Sequence, residues 1–182
     1  MGIPFQSLTV FCGARSGANP EFEKLAYELG QWLAINKINL VYGGGSVGLM
    51  GALARGAFEN GGYIVGVIPE ALKARELEFK EAHELIVVQD MHQRKATMSL
   101  RGDAFLTLPG GFGTLEEIFE MITWRQLGFH QKPLYFLNSH DYFLGLKNFI
   151  HHMSQEKFIS PEDMDLLEFF SGIESWKTKW KK

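Results

Sequence analysis

A single cysteine, Cys12, occurs in the 182 residues. No disulfide can form within the chain, and a reducing compartment is expected. No apolar run approaches the roughly 18 residues that a membrane-spanning helix needs. Nor does a basic leader with an apolar core open the sequence. The expectation is a cytoplasmic protein with no membrane partner. An excess of either charge is missing as well: eighteen basic against twenty-one acidic residues leave a net charge of -3. A nucleic-acid surface carries a basic excess, so none is expected, although a local pocket could still be basic. The six histidines lack metal spacing. His151 and His152 are adjacent and diverge on a helix, and no His-x-x-x-His occurs. Neither a metal nor another cofactor is therefore expected.

Repeats, linkers and low-complexity stretches are absent too, and with 46% hydrophobic residues the chain reads as a single domain over residues 1–182. Strand and helix signals alternate. Residues 8–12 read as a buried strand closed by Gly13-Ala14-Arg15-Ser16-Gly17. Asn19 caps the next helix, with Pro20 at its first position and Glu21 and Glu23 in its first turn. A second strand, 38–42, enters Gly43-Gly44-Gly45-Ser46-Val47-Gly48 and a small-residue helix, which Asn60-Gly61-Gly62 stops. A third strand covers 63–68, and 69–80 is charged and ambiguous. A fourth covers 85–88, after which Asp90 caps a helix over 91–100. Strand five is 104–108, a helix runs to 127, strand six is 133–137, and helices fill the remainder. This alternation predicts an α/β fold, a doubly wound parallel sheet of six or seven strands with helices on both faces. With the order 3-2-1-4-5-6, the ligand crevice lies between strands one and four at their carboxyl ends. The loops 12–17, 43–48, 90–95 and 109–114 would converge there.

The clearest local signal is the strand that ends in Pro109-Gly110-Gly111-Phe112-Gly113-Thr114 and passes into Leu115-Glu116-Glu117. Glycines let main-chain N–H groups approach a ligand, and the start of a helix favours an anion, most often phosphate. Two carboxylates beside such a cradle suggest chemistry on a phosphorylated molecule. Thr114 and Glu117 also satisfy a capping box, which needs no substrate. Glu116 would support the helix dipole or orient a neighbour. The loop at 43–48 matches G-x-G-x-x-G, with Glu70 near the place of a ribose-binding acid. It follows the second strand, however. A mononucleotide shared by both glycine loops through Gly44 and Gly45, a dinucleotide, and tight turns alone all remain open. Met91-His92-Gln93-Arg94-Lys95 sets two cations at the start of a helix, against its dipole, at about 0.3–1 kcal/mol each when exposed. Either both simply point into water, or an anion facing them, a phosphate or a carboxylate such as Glu117, reverses that sign, and the predicted crevice favours the second reading. Cys12, with Gly13 at the crevice edge, reads as a small buried residue and not a nucleophile. The helix over 114–127 carries Leu115, Ile118, Phe119 and Ile122 on one stripe, with Met121 and Trp124 off it. One face meets the sheet; the other predicts a homodimer through this helix, or else cover from the C-terminal helices. The tail from Trp176 to Lys182 reads as a terminal helix packed through its two tryptophans.

Together these residues resemble the LOG ("Lonely Guy") family of cytokinin riboside 5′-monophosphate phosphoribohydrolases. Its signature P-G-G-x-G-T-x-x-E stands at Pro109 to Glu117, and its companion Met-x-x-Arg-Lys at Met91 to Lys95. The triple-glycine loop with Gly48-Leu49-Met50-Gly51, the segment Val67-Ile68-Pro69-Glu70, and Trp124-Arg125-Gln126-Leu127-Gly128 extend the likeness. The resemblance implies a Rossmann-like sheet and, for shorter members, a dimer. It also implies hydrolysis of the N-glycosidic bond of adenine-type nucleoside 5′-monophosphates, AMP or N6-substituted, to free base and ribose 5-phosphate. By the same resemblance Arg94 and Glu117 are the catalytic pair. Met91, Lys95, Gly110, Gly111, Gly113 and Thr114 hold the substrate and its phosphate, and Cys12, Gly13 and Glu116 stand as accessory residues. Relatives are often labelled lysine decarboxylases, yet no lysine here is singled out as a Schiff-base site. Two departures stand out. Phe79, in Arg75-Glu76-Leu77-Glu78-Phe79, occupies a place where relatives often have histidine, and Ala14 and Arg15 stand in a loop usually richer in serine. The rival readings are a non-catalytic nucleotide- or cofactor-binding module and an NAD(P)-dependent oxidoreductase built on residues 43–48.

Overall fold

In the computed structural model, residues 3–180 are described, those at 74–76 without their side chains. The side chains of Arg75 and Glu76 in the departing segment, and Lys181 and Lys182 of the tail, thus lie outside the described parts. Seven parallel strands form one sheet: β1 (Ser7–Phe11), β2 (Asn39–Tyr42), β3 (Ile64–Pro69), β4 (Glu84–Val88), β5 (Ala104–Thr107), β6 (Leu134–Leu137) and β7 (Leu167–Phe170). The helices are α1 (Glu21–Ile35), α2 (Gly48–Glu59), α3 (Glu70–Glu76), α4 (Met91–Arg101), α5 (Phe112–Gln126), α6 (Leu144–Gln155), α7 (Pro161–Met164) and α8 (Ile173–Thr178).

Alternation along the strands builds a core on each face of the sheet. Leu8 and Val10 of β1 join Leu29 and Leu33 of α1, Leu53 of α2 and Trp176 of α8. Phe11 turns to the other side and joins Met98 of α4 with Ile118 and Met121 of α5. The sheet is therefore wound on both faces, as the alternation predicts. The N-cap of α1 is Pro20 and not Asn19, which stands one residue before it and accepts the Glu21 N–H on its side-chain oxygen at 3.0 Å. Asp90 caps α4 through the Gln93 N–H at 2.8 Å.

Strand order is where the expectation fails. The observed order is β4-β3-β2-β1-β5-β6-β7, so the fourth strand lies outside the third and not beside the first. Burial explains the choice. All four residues of β5 are buried on both faces, which suits a central position. In β4 only Val88 is fully buried and Val87 is exposed, which suits an edge. The direction of winding thus reverses between β1 and β5, and α4 crosses back from the edge to join them. Thr9 of β1 donates to the Met98 carbonyl of α4 at 2.9 Å. The strand β7 was expected to be helix. Leu167-Glu168-Phe169-Phe170 is short, and pairing along β6 supplies what its sequence does not announce. The tail packs as expected through Trp176 and Trp180, which meet Phe5 and Tyr135 edge-on except where Trp176 stacks on Phe5.

Candidate active site

A cavity of about 880 Å³ opens at the reversal point. Three segments form its rim and are bonded to one another. The Gly13 N–H donates to the Pro109 carbonyl at 3.0 Å, and the Leu49 N–H donates to the Gly13 carbonyl at 3.0 Å. The lining comes from the loop after β1, the start of α2 at Leu49 and Met50, Leu72 of α3, Met91 and Arg94 of α4, residues 109–114, Glu117 and Tyr142.

The glycine loop after β5 enters α5 earlier than expected. Gly111 is the N-cap in extended conformation, and the first helical bond runs from the Leu115 N–H to the Gly111 carbonyl at 3.2 Å. Thr114 therefore lies inside the first turn and cannot be the cap of a capping box. Its hydroxyl packs against Gly110 instead. N–H groups in that first turn have no partner one turn back, and they sit at the positive end of the helix. Side-chain positions at Gly111 and Gly113 face open space. This combination suits a phosphate.

One turn further along α5, Glu117 is buried and meets Arg94 of α4, also buried. Arg94 Nη1 stands 3.7 Å from Glu117 Oε1, an ion pair longer than a hydrogen bond. The guanidinium is clamped from behind. Its Nε donates to the Val67 carbonyl at 3.1 Å and its Nη2 to the Gly43 carbonyl at 2.9 Å. These contacts account for the loop after β2, among whose open readings a pure packing role now has the structural support. A methyl at Gly43 would collide with the guanidinium, so the close approach that a dinucleotide's pyrophosphate would need is made by Arg94. Gly44 packs on Ile68, and Gly45 pairs with Glu78. Neither lines the cavity. Glu70 is exposed and 3.7 Å from Lys73.

Lys95 also departs from its expected place. It turns from the cavity to Glu116 and, at 2.8 Å, to Glu120 of α5. Burial disfavours its charge, but the bonds to Glu116 and Glu120 outweigh that and hold its pKa above the usual lysine value. The two cations at the start of α4 are thus met by carboxylates of α5, Arg94 inside the cavity and Lys95 outside it. Glu116, proposed as accessory, serves Lys95. Cys12 and Gly13 do line the cavity, and Met91, Gly110, Gly111, Gly113 and Thr114 join them there. Tyr142 escaped the sequence reading, as did Phe22 and Leu72. The signal for Tyr142 was the polar turn Asn138-Ser139-His140-Asp141 directly after strand six, at the carboxyl end of the sheet.

The family described as "Possible lysine decarboxylase" matches residues 50–177. Cytokinin riboside 5′-monophosphate phosphoribohydrolase LOG7 of Arabidopsis thaliana is 48% identical over 157 residues, which cover 86% of this chain and 72% of that protein. Cytokinin riboside 5′-monophosphate phosphoribohydrolase of Rhodococcoides fascians is 50% identical over the same share of this chain and 79% of its own. Among solved structures, the molybdenum cofactor carrier protein of Chlamydomonas reinhardtii superposes with a TM-score of 0.72 over 95% of this chain and 94% of that one. At 19% identity this likeness shows the fold alone. The decarboxylase description finds no support in the cavity. Among the described residues no lysine lines it, and Lys95 is held in its charged form, the opposite of what a Schiff-base lysine needs. At this identity and coverage, with the family model matched over most of the sequence, this chain belongs to the LOG family of cytokinin riboside 5′-monophosphate phosphoribohydrolases.

Proposed function

We propose that the protein hydrolyses the N-glycosidic bond of adenine-type nucleoside 5′-monophosphates, AMP or its N6-substituted forms, to free base and ribose 5-phosphate. The observation that carries this reading is the buried Arg94–Glu117 pair, one helical turn from an open glycine-lined helix start in the same cavity. The phosphate binds at the N–H groups of residues 111–114. The sugar then lies toward Glu117, whose carboxylate stabilises the oxocarbenium-like carbon or accepts a proton from attacking water. The electron pair of the C1′–N9 bond leaves with the purine, and the water oxygen joins C1′. One hydrogen of that water ends on the ribose hydroxyl and the other on the base. Arg94 cannot supply that proton, because guanidinium stays charged. It fixes Glu117 and offers N–H groups to the nucleotide.

Incubation with AMP and with N6-substituted analogues, followed by chromatography, tests the reading. Adenine or the substituted base should appear in equal amount with ribose 5-phosphate, and intact nucleotides in every case overturn it. A homodimer through α5 belongs to the same proposal. Ile118 and Met121 face the sheet, while Leu115, Phe119, Ile122 and Trp124 are only partly covered. Among the C-terminal helices, α7 meets the last turn of α5, where Gln126 donates to Asp163 at 3.0 Å. Sedimentation equilibrium should give twice the mass of the 20.6 kDa chain; a monomer at micromolar concentration refutes this part. Nothing in the reading requires a nucleic-acid or membrane partner, and the cytoplasm is its natural setting.

A further inference from the structure

We infer that Tyr142 is a positioning residue for phosphate binding, acting through the backbone of the glycine loop; the inference rests on the phosphate reading of residues 111–114. Its hydroxyl donates to the Gly110 carbonyl at 2.6 Å, and its ring lines the same cavity. A phenol has one O–H to donate. Here that hydrogen is committed to Gly110, so the ligand phosphate receives none from it. Any effect on phosphate must pass through the loop.

The loop needs such a tether. Gly110 and Gly111 are adjacent, and glycine loses more backbone freedom on ordering than any other residue. The carbonyl of Gly110 and the N–H of Gly111 share one planar trans peptide and point in opposite directions. Holding the carbonyl fixes the direction of that N–H. One residue earlier, the Pro109 carbonyl is held by the Gly13 N–H. Consecutive carbonyls are thus anchored from two sides, one by the loop after β1 and one by Tyr142. A cradle fixed before the ligand arrives spends less ligand binding free energy on ordering itself.

Tyr142 is itself held in place at a conformational cost. The turn that delivers it contains two successive non-glycine residues in left-handed conformation, His140 (φ 53°) and Asp141 (φ 55°). Such residues persist only where surrounding contacts over-determine them. Asn138 supplies those contacts, donating its N–H to the Phe170 carbonyl at 2.7 Å and accepting the Phe143 N–H on its side chain at 2.6 Å. Phe143 is buried edge-on against Phe136. Next to it, the Tyr142 ring meets Phe22 edge-on, with centroids 5.5 Å apart. The outer strands β6 and β7 thereby reach the phosphate site through one hydroxyl.

The test is Tyr142→Phe, which keeps the ring and its packing. Steady-state kinetics on AMP and product inhibition by ribose 5-phosphate and by adenine are compared with wild type. KM for AMP and the inhibition constant of ribose 5-phosphate should rise about 5-fold, the size of one net hydrogen bond of about 1 kcal/mol. Turnover at saturation and inhibition by adenine should stay within 2-fold. A general structural role would instead lower turnover and weaken adenine together with the phosphate ligands, and that result overturns the inference. Unchanged inhibition by ribose 5-phosphate overturns it as well. Should the wild type cleave no nucleotide, calorimetric titration of both proteins with AMP still reads the loop. A 5-fold weaker affinity in the variant then upholds Tyr142 while the hydrolase reading falls. Absence of AMP binding to wild type removes both.

Discussion

Glu117 and Arg94 each have a neighbour that makes a sharp test. A glutamine at position 117 keeps size and hydrogen bonding but cannot carry the negative charge that an oxocarbenium-like carbon or an attacking water requires. Glu117→Gln should lower turnover by about 10²–10⁴, the usual worth of such a group, while AMP binding by calorimetry changes little. Activity equal to wild type would return Glu117 to a structural role. Gly43 tests the arginine without touching it. Its alanine variant places a methyl where Arg94 Nη2 now sits, so the guanidinium must leave the Gly43 carbonyl and with it the line to Glu117. Gly43→Ala should therefore cost at least 10-fold in turnover, with a circular dichroism spectrum like that of wild type. Full activity would mean that the clamp on Arg94 is dispensable.

Helix α4 meets α5 through three ion pairs, one of Arg94 and two of Lys95, and at this scale the sequence was legible in part. The capped start of α4 and the glycine loop before α5 were plain, because caps and glycines act within a few residues. Which partner each cation takes was not, since Arg94 and Lys95 are adjacent and only the packing of two distant segments separates their directions. For the same reason Lys95 was read as a phosphate ligand, and Gly44 and Gly45 as ligand-facing. The local pattern of a cradle does not say whether a ligand or a guanidinium fills it. Residues 114–117 matched a capping box, yet the helix begins three residues sooner because Gly111 takes the cap. Strand order followed from the burial of β5 and the exposed side of β4, a comparison between segments that no single stretch contains. Lys95→Met separates the two readings of that residue. Loss of a fully buried pair costs about 3–5 kcal/mol, but Glu116 is half exposed and Glu120 a quarter exposed, so both rehydrate in part and about 1–2 kcal/mol is expected. Thermal denaturation should fall by about 2–8 °C at 2–4 °C per kcal/mol, with KM for AMP unchanged. A tenfold rise in KM at unaltered stability would restore the phosphate role.

Acid should act on the whole molecule from the side of the sheet opposite the cavity. Asp103, at the turn before β5, accepts the Gln6 N–H at 3.0 Å, the Ser7 N–H at 2.9 Å and the Ser7 hydroxyl at 2.9 Å. Burial opposes its charge, but these bonds prevail and hold its pKa below the usual 3.8. His130, before β6, interacts with the Met121 carbonyl at 2.9 Å through Nε2 and accepts the Lys132 N–H at 3.2 Å on Nδ1. Those partners assign the neutral tautomer with its proton on Nε2. Burial first, with the charges of Lys132 and Arg125, lowers its pKa below 6.5 against the pull of the Met121 carbonyl. Both shifts are downward, so in both windows the unfolded chain binds the proton before the folded one does. The contribution of His130 is complete above pH 6.5 and is lost as the pH falls from there through its folded value. That of Asp103 is complete above pH 3.8 and is lost below it. The melting temperature should therefore be flat near pH 8, decline from about pH 6.5, and steepen under pH 4. His130→Gln should remove the first step and leave the second. Saturating ribose 5-phosphate should raise the melting temperature of wild type and of the His130→Gln variant by a similar amount at pH 8, because binding stabilises by mass action and His130 does not line the cavity. A first step that persists in the histidine variant would assign it to groups around the cavity instead.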